Sequence, residues 1–150
     1  RTAEVGDFLD IARLDRESWG QNRHNDYIPD GEHVWRIWCE HAIVAVDDVE
    51  SEISGAVLVF PCRDSTYCLH KIFVAPSRRG NGVGMALMAY ALRIADEEGF
   101  SLFLTVDPHN QKALALYQSA GFTDRRFVSG YYRSNEDRLV LTRLPSRISS

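Results

Sequence analysis

The apolar patterning of the chain predicts a mixed α/β (α+β) fold, a central, mostly antiparallel sheet flanked by helices. Three observations carry the prediction. Two helical-period stretches come first, β-branched segments then follow one another in hairpin succession, and a strand–loop–helix–strand crossover lies after them. The expected order is α-α-β-β-β-α-β-α-β-β.

Asp7 to Trp19 places Phe8, Ile11, Ala12 and Leu14 at spacings of three and four, an amphipathic helix. Trp19 to Gly31 is polar and punctuated by Gly20, Pro29 and Gly31, a loop. Glu32 to Glu40, with Val34, Trp35, Ile37 and Trp38, reads as a second short helix. Ala42 to Val46 and Ile53 to Phe60 are apolar and β-branched, joined by an acidic turn over 47–52, which predicts a hairpin. A third strand is expected from Thr66 to Val74, ended by Pro76. From Val83 the residues Leu87, Met88, Ala91, Leu92 and Ala95 keep helical period until Gly99, a suitable C-cap. Ser101 to Val106 is a strand, broken by Asp107-Pro108-His109-Asn110; Ala113 to Ala120 is a helix closed by Gly121. Phe122 to Tyr132 and Arg138 to Leu144 are the last two strands.

Composition narrows the function classes. The 150 residues are 45% hydrophobic and 25% charged, suited to one domain over 1–150. The sequence opens on Arg1 rather than Met, so part of a first strand is expected to precede it. Twenty-one acidic against seventeen basic residues give a net charge of −4 and no basic stripe, so nucleic acid is not expected as a partner. No apolar run approaches the roughly 20 residues that cross a bilayer, and no signal-peptide pattern opens the chain; no membrane partner and a cytoplasmic location are expected. Cys39, Cys62 and Cys68 form no C-x-x-C pair, which suits a reducing compartment and leaves Cys39-x-His41 without a second ligand pair. No metal is expected.

The chemically informative stretch is Ile72-Phe73-Val74-Ala75-Pro76-Ser77-Arg78-Arg79-Gly80-Asn81-Gly82-Val83-Gly84-Met85. A strand feeds a loop with glycines at alternate positions, and the loop opens a long helix. Small residues permit close backbone approach, and a helix N-terminus offers unpaired N–H groups and a positive dipole end, so a phosphate or pyrophosphate fits there. Two familiar phosphate motifs fail. No Gly-Lys-Ser/Thr triplet follows the glycines, as a P-loop requires. A dinucleotide fingerprint would need Gly or Ala where Met85 or Leu87 stands, and an acid near Leu104 and Thr105.

Arg79-x-x-Gly82-x-Gly84, preceded by Val74-x-Pro76, resembles the acyl-CoA-binding signature of the GNAT superfamily of N-acetyltransferases. A second block matches Asn-x-x-Ala-x-x-x-Tyr-x-x-x-Gly-Phe through Asn110, Ala113, Tyr117, Gly121 and Phe122. The resemblance implies a splayed strand pair at the cofactor site and acetyl-CoA as cosubstrate. It implies that Ile72, Phe73 and Val74 pair through their backbone with the pantetheine arm. Gly80, Asn81, Gly82, Val83, Gly84 and Met85 would cradle the pyrophosphate, with Arg79 nearby, and Asn110 would touch the cofactor arm. Tyr117 would protonate the departing thiolate, plausible between a thiol near 8.5 and a phenol near 10.

Gly130-Tyr131-Tyr132-Arg133 and the following Glu136-Asp137-Arg138 resemble the ribosomal-protein alanine N-acetyltransferases, where the tyrosines help bind the peptide end. That branch usually carries a Glu base twelve residues before the catalytic Tyr; here Thr105 occupies the position. The loss is smaller for some acceptors. An α-amine of pKa about 7.7–8.0 is roughly a tenth neutral at pH 7, a Lys side chain near 10.4 only about 0.04%. His70, His109, Glu136 and Asp137 are the other titratable candidates for a base, none assigned the role. The expected activity is acetyl transfer from acetyl-CoA directly to an amine acceptor, a protein N-terminus or a small amine. A non-catalytic acyl-CoA-binding module is the alternative that Thr105 keeps open. Acceptor selection is expected from the loop over 21–31 and from Tyr131 and Tyr132, and a homodimer is left open.

Overall fold

A computed structural model describes residues 1–20 and 28–146. The helices are α1 (Phe8–Trp19), α2 (Glu32–His41), α3 (Val83–Glu98) and α4 (Gln111–Ser119). The strands are β1 (Ile43–Val49), β2 (Glu52–Pro61), β3 (Tyr67–Val74), β4 (Leu102–Val106), β5 (Asp124–Val128) and β6 (Arg138–Arg143). Short 3-10 turns occupy Val5–Asp7 and Pro76–Arg78. The strands follow the order β1-β2-β3-β4-β6-β5, so the sheet is mixed and flanked by helices, as the sequence predicts.

The chain forms two compact units, one of Arg1–Phe60 with His70–Ile94, the other of Pro61–Leu69 with Ala95–Ser150. In the first, β1 and β2 pair antiparallel from Ile43↔Val59 to Val49↔Glu52. Their two-residue turn holds Glu50 and Ser51 at φ 51° and 68°, the left-handed geometry that matches the twist of a tight hairpin. The register shifts at Asp47/Asp48, opposite Ser54. There Ser54 donates its hydroxyl to the Asp47 carboxylate and its carbonyl accepts from the Ala75 N–H at 2.7 Å. Thr2 bridges Ala45 antiparallel. The core of this unit joins Ile11, Ala12 and Leu14 of α1 to Val44, Val46, Ala56, Leu58 and Phe73. Trp35, fully buried, meets Trp38 and Phe73 edge-on at 5.2 and 5.9 Å.

In the second unit, β3 begins parallel to β4, with the register Tyr67↔Leu102 and Cys68↔Phe103. Among the described residues the ladder between these strands consists of those two pairs. β4 then pairs with β6 over five positions, and β6 with β5. Leu102, Phe122 and Leu141 are buried at its centre. Arg143 grips Asp96 through two bonds of 2.8 and 3.0 Å and donates to the Ala120 carbonyl, tying the end of β6 to α3 and α4.

Several expected boundaries move. β1 runs on to Val49, so the turn expected over 47–52 tightens to Glu50 and Ser51. The strand expected over 122–132 shortens to Asp124–Val128, because the chain turns at Gly130, whose φ is 60°. That turn is closed by Gly130 N–H donating to Asp137 and Tyr131 N–H donating to the Glu136 carbonyl. α4 begins at Gln111 rather than Ala113, because Asn110 caps it.

Candidate active site

The first unit carries the whole glycine loop. β3 alternates, with Leu69, Lys71 and Phe73 buried and His70, Ile72 and Val74 more open, before the chain passes the Pro76 turn. Gly80 and Gly82 take φ of 81° and 78°, a conformation costly to any side chain with a Cβ. Asn81 donates its amide to the Arg78 carbonyl at 3.1 Å, and Arg79 reaches back to the Val74 carbonyl at 3.4 Å. Both side chains therefore shape the loop itself. The first helical bond of α3 runs from Ala86 N–H to Gly82 O at 3.0 Å, so the N–H groups of Val83, Gly84 and Met85 precede the helical ladder. That set of donors at a positive dipole end can hold an anion. Gly84 is half-buried and Met85 exposed. Phe73 lies in the core, so only its backbone is available at this site.

Close approach explains why β2 has a glycine here. A Cβ at Gly55 would stand 3.0 Å from the Phe73 carbonyl oxygen and from Val83, and 3.1 Å from Leu87. Gly55 thus lets β3 and the start of α3 close on β2.

A buried charge cluster stands at the head of the same stretch of β3. Asp15, with no exposed surface, accepts from Lys71 Nζ at 3.1 Å, from Trp35 Nε1 at 3.0 Å and from the Asp30 N–H at 2.9 Å. Lys71 also meets Asp30 Oδ2 and the Ile28 carbonyl, each at 2.8 Å. Asp30 Oδ2 in turn lies 3.0 Å from His70 Nε2. Burial pushes the Asp30 carboxyl up, but hydrogen bonds from His70 and Lys71 outweigh it and hold the group below the usual range. The charges come from three separate segments, and the sequence offered one signal of their partnership: Asp15 falls four residues after Ile11, on the apolar face of α1.

The second unit holds the other expected residues. Asn110 is the N-cap of α4, its Oδ1 accepting the Ala113 N–H at 3.2 Å. Tyr117 is half-buried one turn and a half into α4, its ring edge-on to buried Phe122 at 5.9 Å. Thr105, standing where a Glu was expected, bonds Tyr132 through the two hydroxyls at 2.7 Å. The Tyr132 ring also lies under the buried Arg138 guanidinium at 5.2 Å and edge-on to Tyr131 at 4.7 Å. Burial, and then the neighbouring Tyr132, push the Tyr131 phenol up. Of the other candidate bases, Glu136 pairs with Arg133 and Arg138, and Asp137 accepts from Gly130, so both serve the hairpin turn. The stacking of Arg138 on Tyr132 was not legible in the sequence, where an arginine in a strand carries no sign that a tyrosine will lie against it.

Of the loop over 21–31, residues 21–27 lie outside the described residues. Burial raises the thiols of Cys39 to about 11 and Cys68 to about 12, well away from nucleophile chemistry at neutral pH. Among the described residues no cluster of three or more His, Cys, Asp or Glu could hold a metal, and no helix is long and apolar enough to cross a membrane.

Comparison with known proteins identifies the frame on which these residues sit. The model of the acetyltransferase (GNAT) family matches residues 8–122. The N-alpha-acetyltransferase RimI of Mycobacterium tuberculosis is 39% identical over 67 residues, 45% of this chain and 41% of that protein. The L-2,4-diaminobutyric acid acetyltransferase of Nocardia farcinica is 25% identical over 122 residues, 78% of this chain and 60% of that protein. The matches span between 22% and 64% of the length of the curated relatives. Among solved structures, yncA from Salmonella typhimurium, determined with its cofactor acetyl-CoA, superposes with a TM-score of 0.79 at 16% identity. That likeness covers 100% of this chain and 95% of the other. The fold is shared, the glycine loop and the Asn110–Phe122 block fall within the matched stretch, and the chain belongs to the GNAT acetyltransferase family.

Proposed function

We propose that the protein transfers the acetyl group of acetyl-CoA directly to a protein N-terminal α-amine. The observation that carries this reading is the glycine loop. Gly80 and Gly82 in left-handed geometry bring the backbone to the N-terminus of α3, where Val83, Gly84 and Met85 present N–H donors ahead of the helical ladder. In this reading the pyrophosphate sits over residues 80–85, with Arg79 beside it, and the pantetheine arm follows the backbone of Ile72, Phe73 and Val74. Asn110 contacts the arm through its amide nitrogen, its oxygen being spent on the cap.

The transfer needs no covalent enzyme intermediate. The amine nitrogen attacks the thioester carbonyl, the carbon–sulfur bond breaks, and Tyr117 gives its phenolic proton to the departing thiolate. Tyr131 and Tyr132 line the acceptor. The Thr105 bond and the Arg138 stack hold Tyr132 in one orientation, which suits a surface that must recognise a peptide end. With Thr105 in place of a carboxylate, an α-amine, already about a tenth neutral at pH 7, is favoured over lysine. The similarity to a RimI N-alpha-acetyltransferase points the same way.

The likeness to a diaminobutyrate acetyltransferase favours a second reading, a small amine as acceptor. One experiment separates them. The purified protein is incubated with acetyl-CoA and three acceptors: a short peptide beginning with alanine, the same peptide blocked at its N-terminus but carrying lysine, and L-2,4-diaminobutyrate. Mass spectrometry should show acetylation of the first peptide well above the other two. Preferential acetylation of diaminobutyrate would replace the peptide reading by the small-amine one.

A further inference from the structure

Thr105 stands where the family resemblance places a Glu base, and His70 of the first unit is a group suited to that task. His70 opens the exposed face of β3, two residues before Ile72 and four before Val74, on the same side of the strand by alternation. Its ring is fixed. Nε2 lies 3.0 Å from Asp30 Oδ2, while Trp38 and Phe60, themselves stacked, flank the ring with centroids 5.7 and 5.6 Å away. An ionised Asp30 can only accept, so Nε2 carries the hydrogen and Nδ1 presents the lone pair. No hydrogen bond to Nδ1 is present among the described residues. The side chain keeps 35% of its surface exposed, enough for an acceptor to reach it.

Among the described residues, the ring meets Asp30, which Lys71 also reaches, Lys71 in turn pairs with Asp15, and the Trp38 and Phe60 rings lie alongside. Histidine is the side chain that most often serves as a general base in enzymes.

We infer that His70, held by Asp30, is the general base that takes the proton of the acceptor ammonium. The inference rests on the acetyl-CoA reading. A cofactor anchored by its pyrophosphate at residues 80–85 and lying back along β3 carries its thioester toward the His70 end of the strand. Val74 to His70 covers about 13 Å at about 3.3 Å per residue. The ammonium gives one proton to Nδ1, which later passes to solvent. The neutral nitrogen forms the carbon–nitrogen bond, the carbon–sulfur bond breaks, and the nitrogen's second proton balances the one that the thiolate takes up. Overall, ammonium and acetyl-CoA become amide, free thiol and one released proton.

The test follows acetylation of the alanine peptide from pH 6 to 9 by wild type, His70→Gln and His70→Ala, with acetyl-CoA affinity measured by calorimetry on each. His70→Gln should lower kcat/KM by about 10- to 100-fold at pH 7, less than the largest effects of general bases because part of the amine is already neutral. The deficit should narrow as pH rises past the amine's own pKa, acetyl-CoA affinity should hold, and added imidazole should restore part of the His70→Ala rate. A deficit constant across pH, an unchanged rate, or loss of acetyl-CoA binding in both variants would overturn the assignment and leave His70 a packing residue. A wild type that binds acetyl-CoA yet acetylates neither peptide nor diaminobutyrate would overturn the enzyme reading, and this inference with it.

Discussion

Tyr117 and Gly55 show what a single side chain, or its lack, contributes. If Tyr117 serves the leaving thiolate, Tyr117→Phe keeps the ring against Phe122 and removes the hydroxyl that carries the proton. Turnover should then fall more than about tenfold while acetyl-CoA affinity changes less than about twofold, measured by steady-state kinetics beside calorimetry. Equal turnover would remove Tyr117 from the chemistry. Gly55→Ala tests packing instead. The new methyl would press on a backbone oxygen that cannot yield and on Val83 and Leu87, so unfolding free energy should drop by about 1–3 kcal/mol. Acetyl-CoA affinity should drop as well, since the start of α3 must move; unchanged affinity would place the strain elsewhere. At this scale the sequence was only partly legible. Tyr117 and the loop glycines stand in short local motifs, where spacing alone marks them. Asp15, Lys71 and Asp30 meet only after folding, and a lysine within a strand reads as exposed until its partners arrive.

The elements were legible wherever a period ran unbroken. α3 keeps its apolar spacing through Leu87, Met88, Ala91 and Ala95, all buried, and it starts and stops at the expected residues. The β1–β2 hairpin was legible for the same reason. Its turn runs against local preference, since Glu50 and Ser51 hold positive φ without being glycine or asparagine. A left-handed non-glycine residue costs roughly 1–2 kcal/mol. Replacing Glu50-Ser51 by Asn-Gly should therefore stabilise the protein by about 1–2 kcal/mol in denaturant unfolding, with the hairpin register kept. No gain would mean that the side chains of Glu50 and Ser51 offset the strain. The end of the chain was less legible. Tyr131 and Tyr132 alternate like strand residues, yet Gly130 and the carboxylate of Asp137 bend them into a turn, a contact between residues seven apart that no period records.

For the molecule as a whole, acid should unfold what neutral pH holds together. Arg1 holds the Asp7 carboxyl, and Arg143 the Asp96 carboxyl, below the usual range, and Asp30 is lowered by His70 and Lys71 against its burial. A carboxylate depressed in the folded state stabilises it fully above its unfolded pKa near 3.9, and loses that contribution as pH falls through the lower folded value. Denaturant midpoints should be flat from pH 7 to about 5 and fall steeply below about 4, with Asp96→Asn showing a shallower acid slope. An unchanged slope in that variant would deny Asp96 its share. The central claim concerns the cofactor, and calorimetric titration with acetyl-CoA, with ATP and NAD as controls, tests it most directly. Saturable binding of acetyl-CoA at micromolar concentration, and no comparable binding of either control, is the predicted result. A folded protein that fails to bind acetyl-CoA, or binds all three alike, would contradict the account, leaving the glycine loop a turn that merely begins a helix.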